Sequence, residues 1–326
     1  MSILVIKPGI QTTIQDAGRT GFQHLGINPG GAMDLRAMQT ANALVHNPSD
    51  EAVLEFYFPA PVLQFNAGAF IALSGADFKA SVNGTDLPVD HPIYIAAGSV
   101  LQFKGKEKGQ LGYLAIQGGV ELIEWLNSYS TNIKAAAGGF EGRALRAGDE
   151  LILNTHPKSI RSSSECSILP WKAFTAPFYT NNPFRFIPGK EFALLSEASR
   201  RLITTESFTI LPQSDRMGYR LQGPELSPTE RREMISSAVT RGTIQLLPNG
   251  QCIVLMADHQ TTGGYPRIGH IITADLPGLA QKGIGDSLLF VQTDVETAEN
   301  LLVLQEQHLQ QLKNACNLQL DAYHRH

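Results

Sequence analysis

Polar side chains crowd into one short segment of the second half of the chain. They follow an apolar run and precede the glycine pair Gly263-Gly264, and they are Asp258, His259, Gln260, Thr261 and Thr262. A hairpin turn requires glycines but not five successive polar side chains. Such crowding beside a permissive backbone is typical of a site for a polar small molecule. The alternative is a turn in which these groups satisfy one another.

Two arginines four residues apart mark a second candidate site. Arg216 and Arg220 could hold a carboxylate or phosphate between two guanidinium groups, and Tyr219 offers a ring or a hydroxyl donor beside them. The alternative is that one of these arginines forms an ion pair with Asp215 within the same turn.

A glycine-rich segment near the N-terminus is the third candidate. Gln15, Asp16 and Arg19 lie on it, and Gly30-Gly31 leads into a predicted helix whose N-terminal N–H groups favour an anion. Asp34 in the first turn of that helix opposes a bare phosphate. The alternative is an Asp16–Arg19 pair that orders the loop.

Short apolar or alternating runs between Gly, Pro and Asn residues predict the strands that position these segments. In the first half the runs are Val62–Phe65, 70–73, 93–95, Val100–Phe103, 112–116 and 151–153; in the second half they are 208–211, 243–247, 252–256 and 287–291. Asn83-Gly84 predicts a type I′ hairpin. A glycine followed by a small polar residue and a strand recurs at Gly98, Gly148 and Gly285, which suggests similar β-units in both halves.

Three helices are predicted, over 34–45, 192–203 and 295–314, the last preceded by a capping-box spacing from Thr293 to Glu296. The chain is therefore mainly β, and a doubly wound nucleotide-binding fold is disfavoured. Its 326 residues suggest two domains. Segment 155–182 lacks periodicity, so we place the boundary there, with domains over 1–160 and 180–326 and a terminal helix in the second.

Composition excludes several classes of protein. The net charge is −4 and no basic run occurs, which disfavours nucleic-acid binding. No segment approaches the roughly 18 apolar residues of a membrane span, and the N-terminus lacks signal-peptide features. Three distant cysteines argue against a disulfide framework, and no metal-ligand spacing occurs. We therefore predict a cytoplasmic protein without a metal site that binds neither nucleic acid nor membrane.

The candidate segments resemble one known family, that of allophanate hydrolase subunit 2, also called the KipA-like family or the family of the 5-oxoprolinase C subunit. The resemblance covers almost the whole chain in family order, through 13–19, 31–34, 74–77, 113–119, 214–221, 258–267 and 274–275. It implies two cyclophilin-like β-barrel domains. It also implies two partners, a KipI-like B subunit and a LamB/YcsF-like A subunit. Together the three convert 5-oxoproline to glutamate with hydrolysis of ATP, an amidohydrolase activity absent from the isolated chain.

Related sequences form the carboxyltransferase part of urea carboxylase, so carboxyl transfer from biotin to urea or another amide is an alternative. This chain carries no biotin acceptor motif, so biotin would have to be attached to another chain. A regulatory binding protein for a KipI-like kinase inhibitor is a third possibility.

The resemblance suggests roles for the three candidate segments. Asp258 is the preferred general base, which His259 orients, in a pocket for a small amide or lactam. The substrate-binding residues are predicted to be Gln260, Thr261, Thr262, Arg216, Tyr219, Arg220, Gln15, Asp16 and Arg19. Since a lactam is resonance-stabilised, ATP must activate its oxygen. No phosphate-binding loop motif is present, and ATP is predicted to contact Gly263, Gly264 and Arg267 at a site shared with the B subunit.

Overall fold

The chain divides into two compact units. The computed structural model describes residues 1–154, 166–179, 182–230 and 234–325. The first unit comprises 1–18, 34–176 and 307–326, and the second comprises 19–33 and 177–306. The predicted ranges 1–160 and 180–326 do not anticipate that 19–33 belongs to the second unit and 307–326 to the first. Residues 155–165 and 180–181 of the predicted boundary segment lie outside the described residues.

The first unit is built from two six-stranded sheets. Its strands are β1 (Ser2–Lys7), β2 (Thr12–Gln15), β3 (Val53–Phe56), β4 (Val62–Phe65), β5 (Ala69–Asp77), β6 (Ala80–Val82), β7 (Thr85–Asp86), β8 (Pro92–Ile95), β9 (Val100–Phe103), β10 (Lys108–Ile116), β11 (Glu150–Ile152) and β12 (Cys166–Ile168). The sheet orders are β11-β1-β4-β9-β6-β7 and β12-β8-β5-β10-β3-β2. Alternate apolar residues such as Ile3, Val5, Leu63 and Phe65 form one buried core.

The second unit contains an eight-stranded sheet that nearly closes on itself. Its strands are β13 (Phe184–Pro188), β14 (Phe208–Ile210), β15 (Gly218–Gln222), β16 (Ser237–Ala238), β17 (Thr243–Leu246), β18 (Cys252–Leu255), β19 (Thr262–Gly263), β20 (Arg267–Ile271), β21 (Ser287–Leu288) and β22 (Phe290–Gln292). The order is β21-β14-β15-β18-β17-β20-β13-β22, and β16 pairs with β19 separately. Because β21 and β22 are separated only by Leu289, the two edges of the sheet are consecutive in sequence. Phe186, Phe208 and Phe290 fill the interior.

The prediction of a mainly β chain is confirmed, and each predicted strand overlaps one or two observed strands. The recurring turn is also confirmed, because Gly98, Gly148 and Gly285 all have φ between 84° and 92°. Asn83 and Gly84 both adopt positive φ between the paired strands β6 and β7. The segment chosen as the boundary is not free of strands, since β12 lies within it and pairs with β8.

Helices follow the sequence less closely. The first, α1 (Leu35–Leu44), begins at Asp34, whose carboxylate accepts the Ala37 N–H at 2.9 Å. The helix predicted over 192–203 is confirmed from residue 197 onward, but its start is wrong. A short 3-10 turn, Phe192–Leu194, ends at the extended Leu195, and α2 (Glu197–Thr205) begins after Ser196, which caps it.

The third predicted helix is longer than expected. A five-residue helix, α3 (Leu276–Ala280), precedes it, and the terminal helix α4 spans Val295–Arg325. Its cap is the Asp294 carboxylate, which accepts the Thr297 N–H at 2.7 Å, rather than Thr293. Among the helices of the described ranges, none has the length and apolar character needed to cross a bilayer.

The recurring glycine turn generates a test of the fold. Gly148 has φ +92° and open space where a Cβ would lie, so its requirement for glycine is purely conformational. Gly148→Ala should lower the free energy of unfolding by about 1 kcal/mol, measured by urea denaturation. Gly105 also faces open space but lacks a positive φ, so Gly105→Ala is the matched control and should not destabilise. Equal stability of the two variants would contradict this account.

Candidate functional site

A buried ion pair joins two loops of the second unit. Arg216 Nε and Nη2 donate to the two oxygens of Asp258 at 2.8 and 3.0 Å, a bidentate arrangement. The Asp258 N–H also donates to the Arg216 carbonyl at 2.8 Å. The side chains are only 6% and 18% exposed. The loop after β18 is therefore held to the loop before β15 through backbone and side chain together.

The same arginine fastens segment 19–33 within this unit. Arg216 Nη2 donates to the Gly31 carbonyl at 2.7 Å, and Asn28 Nδ2 of the segment donates to the Asp258 carbonyl at 3.1 Å. Arg241 donates to the Ala32 carbonyl through Nη1 at 3.1 Å and to the Met33 carbonyl through Nη2. Arg19 is buried, and its backbone N–H donates to the Pro29 carbonyl at 2.8 Å inside the segment. The glycine-rich segment is thus ordered by side chains that lie about 200 residues away in sequence.

These contacts change the roles expected of two predicted residues. Both Asp258 oxygens accept from Arg216, which makes the carboxylate a structural anchor and a poor candidate for a general base. The alternative Arg–Asp pair within one turn is not seen, since Asp215 accepts the Met217 N–H at 2.8 Å and Arg216 turns to Asp258.

His259 is also buried, at 3% exposure, and its Nδ1 lies 2.6 Å from the Gln260 carbonyl. Burial lowers the pKa of His259, and the nearby Arg241 acts in the same direction. Burial likewise lowers the pKa of His270 on β20, to which the proximity of His259 adds. These effects therefore favour the neutral form of both imidazoles.

A cavity of about 510 Å³ lies on the outward face of the eight-stranded sheet. Its lining includes Gln213, Asp215, Met217, Gly218, Arg220, Gln245, Leu247, Pro248, Asn249, Ile253, Gln260 and Tyr265. This volume is within the range of small-molecule sites. Of the five polar residues in the run from Asp258 to Thr262, Gln260 alone is among these lining residues.

Strand register assembles the floor of this cavity. Ile253 on β18 is the partner of Arg220 on β15 and of Gln245 on β17, so the three side chains form one row across three strands. Tyr219 is one residue away and faces the opposite side of β15, where it is buried and its hydroxyl donates to the Ala280 carbonyl at 3.4 Å. Tyr219 is therefore a core residue, and the predicted Arg216–Arg220 clamp is not assembled.

The residues predicted to contact ATP are engaged within the fold. Arg267 Nε and Nη2 donate to the Glu191 carboxylate at 3.1 and 2.9 Å. Burial disfavours the charged form of Glu191, but the hydrogen bonds from Arg267 outweigh it and lower its pKa. Gly263 pairs with Ser237 across β16 and β19, and a Cβ there would lie 2.5 Å from Gln245 Nε2. A Cβ on Gly264 would lie 3.3 Å from the Met234 carbonyl. Arg267 is therefore engaged by Glu191, and Gly263 is engaged in strand pairing.

The remaining predicted residues occupy separate places. Thr261 is half-buried and accepts the Val239 N–H through its carbonyl, and Thr262 is exposed. In the first unit, Gln15 Nε2 donates to Thr13 Oγ1 at 3.0 Å. The Asp16 carboxylate accepts the Ser128 hydroxyl at 2.8 Å, the Ser130 hydroxyl and the Tyr129 N–H. Asp16 therefore organises a loop of the first unit.

Comparison with known proteins identifies the family. The profile of the family described as "Carboxyltransferase domain, subdomain A and B" matches residues 25–292. The chain belongs to this family. It is 36% identical to the C subunit of the 5-oxoprolinase of Escherichia coli (strain K12), over 94% of this chain and 96% of that protein. It is 35% identical to the corresponding C subunit of Haemophilus influenzae, over 96% and 97%. The resemblance recognised in the sequence is thereby confirmed.

Solved structures of family members agree with the fold. The crystal structure of the K. lactis urea amidolyase matches with a TM-score of 0.87 and 26% identity. That match covers 95% of this chain but only 20% of the urea amidolyase chain. This chain thus corresponds to about one fifth of that larger protein.

Among the residues that line this cavity, only Arg220 and Gln260 were predicted as site residues; the polar residues that sequence reasoning missed include Gln245 and Tyr265. Gln245 is a polar residue inside the apolar run 243–247, and its alternation with Ile244 and Leu246 was the available signal. Which polar strand residues share a face depends on pairing between β15, β18 and β17, and single-sequence patterns do not reveal that pairing. No group of three or more His, Cys, Asp or Glu residues suited to a metal occurs in the described part of the chain.

The ion pair predicts a stability defect with a specific rescue. Asp258→Asn should lower the free energy of unfolding by about 3 kcal/mol, because it leaves the Arg216 charge buried without its partner. The double variant Arg216→Met with Asp258→Asn should regain part of that loss, measured by denaturant unfolding. A single variant of wild-type stability would show that the pair does not anchor these loops.

The two histidines predict acid sensitivity. Their ordinary pKa is 6.5 and their folded pKa values are lower, so below about pH 6.5 the unfolded chain binds protons that the folded chain does not. Stability is therefore lost as pH falls through 6.5 and toward the folded pKa values. His270→Asn should reduce the slope of unfolding free energy against pH between about 5 and 7, measured by thermal unfolding in matched buffers. An unchanged slope would contradict the lowered pKa of this partly buried imidazole.

Proposed function

We propose that this chain is the C subunit of a 5-oxoprolinase complex, which converts 5-oxoproline to glutamate with hydrolysis of ATP. The observation that carries the proposal is that the chain matches two proteins named as this C subunit over nearly their whole length. It spans 96% and 97% of them, at 36% and 35% sequence identity. By contrast it spans a fifth of the urea amidolyase chain. The partners proposed are a KipI-like B subunit and a LamB/YcsF-like A subunit, in the cytoplasm.

The cavity on the outward face of the sheet is the proposed substrate site. Arg220 supplies a cation for the substrate carboxylate and Gln260 supplies an amide, as both residues line the cavity. ATP is proposed to bind at a site completed by another subunit, since Arg267 is held by Glu191 and Gly263 is paired with Ser237.

Carboxyl transfer is the second candidate function. The family description and the match to the K. lactis urea amidolyase favour it. It requires a biotin-bearing domain and a biotin carboxylase on other chains, because this chain has no biotin acceptor motif. Only this candidate predicts that labelled carbon from bicarbonate enters the product.

Reconstitution distinguishes the candidates. This chain and its two proposed partners should be purified and assayed singly, in pairs and together for glutamate release from 5-oxoproline with ATP. We expect turnover when all three are present and, when this chain is omitted, a loss of at least about 100-fold, the scale on which an essential part of a catalytic site acts. The control is a parallel incubation with biotin carboxylase, biotinylated carrier and labelled bicarbonate.

Three outcomes are informative. Glutamate release that depends on this chain supports the proposal. Incorporation of label into an amide product, without glutamate, replaces it with carboxyl transfer. Tight binding to the KipI-like partner without turnover of either kind replaces it with a regulatory role.

A further inference from the structure

One buried hydrogen-bond donor in the cavity has no acceptor. Gln245 is 1% exposed, and its Nε2 finds no partner among the described residues. Leaving a buried amide N–H unsatisfied costs about 1–3 kcal/mol. Such an arrangement is rare in native proteins and calls for an explanation at each position where it occurs. Gln245 lines the cavity, so a small movement of its side chain toward the cavity would allow a ligand acceptor to supply the missing partner.

The orientation of Gln245 is set by its neighbours. Gln245 Oε1 accepts a hydrogen bond from Gln260 Nε2 at 3.5 Å. Gln245 Nε2 is therefore not used in this contact and can donate elsewhere. Any side chain at position 263 would collide with Nε2, because a Cβ there would be 2.5 Å away. Gly263 therefore leaves room for the amide of Gln245. Since Gln260 donates through Nε2, its Oε1 stays available as an acceptor.

A cation completes the set. Arg220 stands in the same cross-strand row as Gln245, with Ile253 between them. Its backbone N–H donates to Ser214 Oγ at 3.0 Å, whereas its guanidinium has no acceptor among the described residues. The cavity thus offers an amide donor, an amide acceptor and, two strands away from Gln245 in the same row, a cation.

We infer that the Gln245–Gln260 pair recognises the carbonyl and the N–H of a lactam and that Arg220 holds the carboxylate of the same molecule. In a five-membered lactam the amide is cis, so its carbonyl and its N–H lie on the same edge. Gln245 Nε2 donates to the carbonyl, and Gln260 Oε1 accepts the ring N–H. An open-chain secondary amide is trans and presents these groups on opposite edges. This inference rests on the proposed function for its substrate class, and it assigns the specificity to two residues.

Replacement of Gln245 provides the principal test. Gln245→Met keeps the length and approximate volume of the side chain but removes the donor. The dissociation constant of 5-oxoproline from the assembled complex, measured calorimetrically without ATP, should rise about tenfold. The melting temperature should be unchanged or higher, because an unsatisfied buried amide has been removed. Gln292→Met, an exposed glutamine on β22 of the same unit, is the matched control and should alter neither quantity.

Arg220 is tested with a ligand that lacks the carboxylate. Arg220→Gln should weaken 5-oxoproline binding on the order of 30-fold but change the binding of 2-pyrrolidinone by less than about threefold. Arg200→Gln, at an exposed arginine on α2, is the control and should leave both ligands unaffected. N-acetylglycine, which has a carboxylate and a trans amide, should bind the wild-type complex about tenfold more weakly than 5-oxoproline.

The outcomes separate this inference from the proposed function. Wild-type affinity in Gln245→Met, or a lower melting temperature with unchanged affinity, would show that Gln245 is structural and would overturn the inference. If Arg220→Gln weakened the binding of 5-oxoproline and of 2-pyrrolidinone equally, Arg220 would not be the residue that holds the carboxylate. If the complex releases no glutamate but 5-oxoproline binding still depends on Gln245, the proposed reaction fails and the lactam site stands. If the complex releases glutamate but 5-oxoproline binding does not depend on Gln245, the proposed reaction stands and the lactam site fails.

Discussion

The ion pair between Arg216 and Asp258 is the constraint on which the second unit's site depends. A buried charge is tolerated only when it is paired and hydrogen-bonded. Arg216 meets that condition by contacting both Asp258 oxygens and the Gly31 carbonyl. Three chain segments far apart in sequence must therefore assemble together. The position of Gln260, two residues after Asp258, follows from that assembly.

Strand alternation then divides the roles of neighbouring residues. On β15, Tyr219 and Leu221 face the barrel interior, and Arg220 between them faces the cavity. On β17, Ile244 lies in the core and Gln245 in the cavity row. A one-residue shift in register would bury Arg220 among aromatic side chains. The hydrophobic interior therefore fixes the strand register. That register in turn places Arg220 and Gln245 on the cavity face, and no additional interaction is needed to position them there.

Much of the fold was accessible from the sequence because its signals are local. Strand runs such as Val62–Phe65 and turns such as Asn83-Gly84 depend on residues within a few positions of one another. The start of the helix predicted over 192–203 is wrong because the apolar spacing extends before the cap at Ser196, where the helix begins. The inclusion of segment 19–33 in the second unit depends on contacts with Arg216, Asp258 and Arg241, and no local pattern encodes those contacts.

The candidate site shows why residue type alone misassigned the chemistry. Charged residues in a polar run attract attention, but Asp258 and Arg267 already have partners, in Arg216 and Glu191, that neutralise them. A group whose hydrogen bonds are satisfied inside the fold has little interaction energy left for a ligand. The groups still able to bond in the cavity include Gln245, which is inconspicuous within an apolar strand, and Arg220, whose predicted partner Arg216 is paired with Asp258 instead. Unsatisfied hydrogen-bonding capacity inside a cavity, rather than the density of polar residues along the chain, is therefore the basis on which we propose the ligand site.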